Sequence, residues 1–156
     1  MKKLVLLGLS HLAAVAVGFA AGIYVLPILI APESPSAAEV KSIAGTAEYS
    51  AEFRRDLKGS DPLHWGEGVV SISRRAISLN GRVAPGPDYK LYLAPEFVDA
   101  KEAFTRLKER SLRVGDVKTF ENFIVELPAS ADINKYNTVV VWCESFSQFI
   151  TAAKYR

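Results

Sequence analysis

From Leu4 to Leu26 the chain carries no charged residue, and the apolar run continues to Ile30. As a helix rising ~1.5 Å per residue, Leu4 to Leu26 covers about 35 Å, enough to cross a bilayer with some tilt. A helix that is apolar on every side has no solvent face. Residues 1–30 are therefore predicted to be a transmembrane anchor that touches the bilayer through residues 4–30 and adds nothing to a soluble core. Lys2 and Lys3 precede the run with no acid beside them. By the positive-inside rule the N-terminus stays in the cytoplasm and the rest is extracytoplasmic, either periplasmic or extracellular. The run exceeds the ~7 to 15 apolar residues of a signal peptide. A cleaved signal peptide is the alternative, with Ser36-Ala37-Ala38 as its small-residue site. No cysteine follows the run closely, so a lipoprotein anchor is not expected.

Two details inside the run point to bland explanations. Gly18-Phe19-Ala20-Ala21-Gly22 has the small-xxx-small spacing of a helix dimer face, yet glycine and alanine are common in membrane helices. His11 lies about two turns from the cytoplasmic end, where a neutral imidazole reaches the interface.

What remains is about 120 residues, suited to one domain with its own core. Of 19 Lys and Arg, two precede the apolar run and the other 17 equal the 17 Asp and Glu, so the formal charge of +2 belongs to the N-terminus. That balance leaves no nucleic-acid footprint. The single cysteine excludes an intramolecular disulfide, and packing alone must hold the domain.

Residues 31–42, with Pro32, Pro35, Ser34 and Ser36, have the composition of an extended tether, and residues 43–156 are expected to form the domain. Ala47 to Leu57 reads as either a short helix or a strand in which Tyr49, Ala51 and Phe53 alternate. Gly66 to Ser73 and Ala76 to Leu79 read as a hairpin around Arg74-Arg75, the second strand ending at Asn80-Gly81. Tyr89 to Leu93 alternates as a half-buried strand. Phe97, Ala100, Phe104, Leu107 and Ser111 then recur at helical spacing, predicting one amphipathic helix of about 12 residues. Pro95 or Asp99 would start it, with Asp99 and Glu102 as a capping box. Gly115 would close this region. Phe123, Val125 and Leu127 alternate in a further strand stopped by Pro128, and Thr138 to Cys143 with Phe149 to Tyr155 forms the last strand pair.

The fold class expected from these segments is mainly β, a β domain interrupted by one inserted helix behind a transmembrane segment. Its most strand-like stretch is Tyr136 to Phe146. There Val139, Val141 and Cys143 share one face and Val140 and Trp142 the other. Cys143 is the one candidate redox residue. A lone thiol cycles only through sulfenic acid, a mixed disulfide or a partner's cofactor, and Glu144 beside it would raise its pKa. The competing reading is a small apolar residue buried in a valine-rich strand.

Other chemistries lack their residues. No Cys-x-x-Cys-His, Cys-x-x-Cys, Gly-rich phosphate loop, nucleophile elbow or helix-borne metal motif occurs. His64 is the only histidine beyond the apolar run. His64 and Asp61 with Cys143 would be the only three-ligand set, and a His-Trp pair at a strand entrance more often forms a structural corner. Neither a metal nor a cofactor is expected within the chain.

Three segments carry a family resemblance: Asp61-Pro62-Leu63-His64-Trp65-Gly66-Glu67-Gly68, then Gly86-Pro87-Asp88-Tyr89-Lys90-Leu91-Tyr92-Leu93, then Tyr136 through Cys143 with Phe146. Together they resemble the DM-thirteen domains of Skeletor-like extracellular proteins, frequently joined to cytochrome-bearing DOMON domains. The resemblance spans about Ile43 to Arg156 and is most specific in Val-Val-Val-Trp-Cys-Glu-x-Phe. Val117-Lys118 and Tyr136 also fall where such domains place a strand after a glycine and a tyrosine before the cysteine strand. The resemblance implies a β-sandwich-like domain, an extracytoplasmic site and electron transfer through Cys143, with a redox or envelope protein as partner. One departure is Glu121-Asn122, where a glycine turn is usual. The alternative function is a non-catalytic binding or envelope-structural module.

Overall fold

The computed structural model describes residues 1–156. It opens with α1 (Lys2–Ile30), an uninterrupted helix with Pro27 in its last turn and no buried residue. A short link leads to α2 (Ala37–Ala44), and then come β1 (Tyr49–Phe53), β2 (Gly66–Ile72), β3 (Ala76–Val83) and β4 (Tyr89–Ala94). α3 (Lys101–Leu107) passes into a 3₁₀ turn at Lys108–Arg110. β5 (Leu112–Val117), β6 (Glu121–Glu126), β7 (Thr138–Cys143) and β8 (Gln148–Lys154) complete the chain.

The strands form two four-stranded antiparallel sheets, ordered β1-β2-β3-β6 and β5-β4-β7-β8. Period-two alternation explains the layering. Phe53, Val70, Ile72, Leu79, Leu91, Phe123, Val139 and Val141 meet between the sheets in one buried cluster. Tyr92, Val140, Trp142 and Phe149 point away from it and form a second cluster with Phe104 of α3. On the outer side of the other sheet α2 buries Val40. The order of layers is helix, sheet, sheet, helix, which is the mainly β architecture that the strand patterning predicts and the sandwich that the resemblance implies.

Short connections fix which strand ends lie together. β3 passes to β4 through residues 84–88, β5 to β6 through 118–120, and β7 to β8 through 144–147. Tyr89 pairs with both Val117 and Cys143, and Gly66 with Val83. Thus the loops at 54–65, 84–88, 118–120 and 144–147 crowd one end of the sandwich, and Cys143 lies there. The Arg74-Arg75 turn and the C-terminus lie at the other end, while α3 lies over the outer face of the second sheet.

Several sequence expectations need correction. The extended tether gives way at Ala37 to α2, because Ser36 and Glu39 make a full capping box: the Glu39 amide donates to Ser36 Oγ, and Ser36 donates its amide and hydroxyl to the Glu39 carboxylate. Ala47 to Leu57 resolves as a strand with Tyr49, Ala51 and Phe53 inward. Asn80-Gly81 does not end β3; a bulge there lets the strand run on to Val83. Gly68, at φ 116°, faces Gly81 so closely that a Cβ on either would strike the opposite backbone. The inserted helix is shorter than expected, since Asp99 makes no cap and Ala100 is the N-cap, leaving Phe97 outside it and exposed. Gly115 lies inside β5 opposite Leu91 rather than closing the helical region.

Candidate functional site

Alternation along β7 sends Cys143 inward with Val139 and Val141, but as the last residue of the strand it sits at the rim of the core. It is 2% exposed. Its Sγ–H donates to the Pro87 carbonyl at 3.0 Å. Above it lies a cavity of ≈ 330 Å³, bordered by Leu63, His64, Pro87, Tyr89 and Phe146, with Ile23 and Tyr24 of α1 on the far side. The thiol is at the floor of a hollow in the loop end, not in the middle of the sandwich.

Two loops are tied together across that floor. The Glu144 amide donates to the Asp88 carbonyl at 3.1 Å, and Ser145 Oγ donates to Asp88 Oδ2 at 2.9 Å. Lys90 bridges Asp88 (2.7 Å) and Asp116 (2.9 Å), so the Asp88 carboxylate is fixed from both sides. The lysine ammonium holds the Asp88 carboxyl below its ordinary value, against a smaller upward push from burial. Asp88 and Ser147 both adopt left-handed backbone, at φ 55° and 47°. Non-glycine residues enter that region at a cost, and here they fall one on each flanking loop. Gly86 leaves room for the Tyr89 hydroxyl, which a Cβ at position 86 would strike.

Burial pushes the Cys143 thiol above its ordinary value of 9.0. The Phe146 amide pulls it back, Asp88 raises it further, the Ser145 amide lowers it and Glu144 raises it again. Burial prevails, and the resting group is a neutral thiol. Burial likewise raises the Tyr89 hydroxyl, which pairs across from Cys143, and the thiol adds to that shift.

Glu144 points to the opposite side of the strand. Its carboxylate accepts from Lys108 Nζ at 2.5 Å and from the Tyr92 hydroxyl. Lys108 Nζ also lies 5.5 Å from the Trp142 ring, at cation–π range. Burial alone would raise the Glu144 carboxyl, but Lys108 and Tyr92 outweigh it and leave it lowered. Glu144 is the neighbour of Cys143 in sequence, yet its charge is engaged on the outer face and adds only a minor push on the thiol.

His64 lies beside the cavity, while Asp61 serves the turn that carries it. Asp61 Oδ1 accepts from the amides of Leu63 (2.7 Å) and His64 (2.9 Å), and Oδ2 meets His64 Nδ1 at 2.7 Å. The pair is a side-chain-closed turn at the entrance to β2, the structural corner that the residue types predict. No three His, Cys, Asp or Glu side chains lie close enough to hold one ion, so Asp61, His64 and Cys143 do not converge as ligands.

Three participants were invisible in residue types alone: the Pro87 carbonyl, the Asp88 anchor and the Phe146 cover. The resemblance segments contain all three, although nothing in their spacing gives them a role. Asn122 replaces the usual glycine by adopting left-handed backbone itself, at φ 41°. Its side chain accepts from the Gly81 amide at 3.1 Å and donates to the Pro35 carbonyl at 3.2 Å.

No curated protein and no solved structure matches the chain. The pattern of the electron transfer DM13 family matches residues 52–155, which takes in all eight strands except the first three residues of β1 and both loops over Cys143. With two thirds of its length matched, from the strand that opens the sandwich to the one that closes it, the chain belongs to the electron transfer DM13 family.

Proposed function

We propose that this chain is a membrane-anchored, extracytoplasmic redox module in which Cys143 is the reacting group. The observation that carries this reading is the position of the thiol: a core cysteine with no role has no need of a hollow above it, and this one ends a strand beneath two strained, pinned loops. Family membership supports a redox role in general. The anchor reading rests on α1, a 29-residue helix with no acidic residue and two lysines at its start.

A lone thiol moves electrons in pairs through a mixed disulfide. Cys143, deprotonated as the loops part, attacks one sulfur of a partner's disulfide. A new S–S bond forms to Cys143, the partner's S–S bond breaks, and its second sulfur leaves as a thiolate. One thiol of a reduced partner dithiol then attacks the Cys143 sulfur and releases the first partner's sulfur as its second thiolate. The reduced partner's other thiol attacks its own sulfur in the new mixed disulfide, closing a disulfide there and releasing Cys143 as thiolate. The first partner gains two electrons and the second loses two. The partners are redox proteins of the envelope carrying exposed thiols or disulfides.

The competing reading is a binding or envelope-structural module with a structural cysteine. It is favoured by the 2% exposure, the thiol's hydrogen bond to Pro87 and its raised pKa. Alkylation of the folded full chain, with and without denaturant, separates the two. Under the redox reading a small maleimide modifies Cys143 in the native protein at a rate set by loop opening, and a disulfide partner is trapped in membranes. Modification that requires denaturant, with no trapped partner, removes the redox reading.

A further inference from the structure

The loop end that carries Cys143 also carries Leu63 and Phe146, which are 58% and 53% exposed although both are large and apolar. Away from α1, only four large hydrophobic side chains are exposed, and these two share one end and one cavity. Exposed apolar side chains gathered at one site mark a surface that is covered in use.

The chain itself says what covers it. α1 ends at Ile30, and the Pro35 carbonyl is already bonded to Asn122 at the loop end. The free link is residues 31–35, which at ~3.6 Å each reaches no more than about 18 Å. The tether therefore enters the domain at its loop end and holds that end close to where α1 leaves the bilayer. From there α2 runs along the outer face of the first sheet toward β1, whose first residue lies at the far end beside Ile72.

Depth along α1 gives an independent measure. Residues 20–24 lie roughly 25 to 30 Å beyond Lys3 along a helix axis, which is the far boundary of a ~30 Å hydrocarbon layer. Ala20, Ile23 and Tyr24 within that stretch border the cavity with Leu63 and Phe146. Tyr24 among them is a residue type of the membrane interface.

We propose that the loop end of the sandwich rests on the outer lipid surface, with Leu63 and Phe146 seated at the boundary between headgroups and acyl chains. The occupant of the exposed patch is lipid. The wide cleft of ≈ 840 Å³ between α1 and Phe120, Phe146 and Pro87 is then filled by lipid as well. A consequence is that the hollow over Cys143 opens at the membrane surface and not into bulk solvent. This inference rests on the anchor reading given above, but not on the chemistry of the thiol.

The test uses the full chain in lipid vesicles, in a Cys143→Ala background with one fluorophore attached through Phe146→Cys, Leu63→Cys or, at the far end, Arg75→Cys. Both lipid-facing positions are exposed, so the substitutions leave the core intact. Iodide quenching several-fold weaker at 146 and 63 than at 75, with brominated-lipid quenching confined to 146 and 63, is the expected result. Equal iodide quenching at all three positions in chain that floats with the vesicles overturns the lipid contact while the anchor stands. Shielding from iodide without quenching by brominated lipid means that protein covers the patch, and also overturns it. Chain that fails to float removes the anchor reading and the lipid contact with it.

Discussion

The two sides of β7 are built from one strand and end in opposite chemistry. Inward, Val139, Val141 and Cys143 belong to a buried cluster of 21 residues that fills the space between two sheets. Outward, Val140 and Trp142 belong to a cluster of eight, closed by one short helix, and the next residue outward is the charged Glu144. The inner side ends in a neutral thiol donating to a carbonyl, and the outer side in an ion pair. Strand period alone sorts them, so a buried thiol and a carboxylate can be adjacent in sequence with little mutual effect. The comparison also shows where each side is fragile: the inner side at its rim, the outer side at its single covering helix.

The largest expected effect breaks the outer side. Phe104 is fully buried, with its ring centroid 5.0 Å from that of Trp142 and 5.2 Å from that of Tyr92. Phe104→Ala leaves a cavity that only α3 could collapse into, and should cost about 3 to 5 kcal/mol in urea unfolding. A loss under about 1 kcal/mol would mean that α3 adds little and that the outer layer is decorative.

The inner rim should respond less. Cys143→Ser puts a hydroxyl in place of a weakly polar thiol, costing on the order of 1 to 3 kcal/mol unless it keeps the bond to the Pro87 carbonyl. Cys143→Ala removes that bond and leaves a small void, costing about 1 kcal/mol or slightly more. If the thiol is structural, a deletion phenotype should follow stability, with serine at least as damaging as alanine. If it is a redox group, both variants lose function however well they fold. A folded alanine variant that restores the phenotype removes the redox reading, and a folded one that does not removes the purely structural one.

The thiol also predicts an alkaline limb. Its pKa is raised by folding above the ordinary 9.0, so the fold favours the neutral form. That contribution is fully present below the unfolded value and is lost as pH rises through the higher folded one. Unfolding free energy should therefore fall more steeply in alkali for the wild type than for Cys143→Ala. Thiolate absorbance should also rise at higher pH in the folded chain than in urea. Superimposed titration curves would show the thiol to be solvated, and the inner rim to be open.

How much of this was legible in the sequence follows from the range of each interaction. Alternation is local, so Val139 to Cys143 could be assigned to faces from five residues, and the strands at 66–73, 89–93 and 123–127 likewise. Composition hides α2, because Pro32 and Pro35 dominate that stretch, although the Ser36–Glu39 capping box that starts the helix is a local signal. The Asp99 cap was expected from the same kind of signal, but Asp99 uses its carbonyl to hold the Gly59 amide and the helix begins later. At the site, Cys143 could be singled out by count alone. Its partners Pro87 and Asp88 are more than 50 residues away in sequence, and only the β4–β7 pairing brings them over the sulfur.

The smallest effect belongs to Glu144, at the outer end of the comparison. Lys108 and the Tyr92 hydroxyl outweigh burial and hold its carboxyl below the ordinary 4.5. A lowered folded pKa means that the unfolded chain takes up the proton first as pH falls. The contribution is therefore present above about 4.5 and is lost through the acid range down to the folded value. Because the pair is partly solvated, Glu144→Gln should cost under about 1 kcal/mol at neutral pH, and Lys108→Met a similar amount. The distinguishing feature is direction: the gap between wild type and Glu144→Gln should close in acid, whereas the gap between wild type and Cys143→Ala should close in alkali. Urea midpoints measured near neutrality and well below the carboxylate range decide it. A Glu144→Gln gap that persists unchanged in acid would show that the glutamate acts by its shape and hydrogen bonds, and that the outer end of β7 is held without charge.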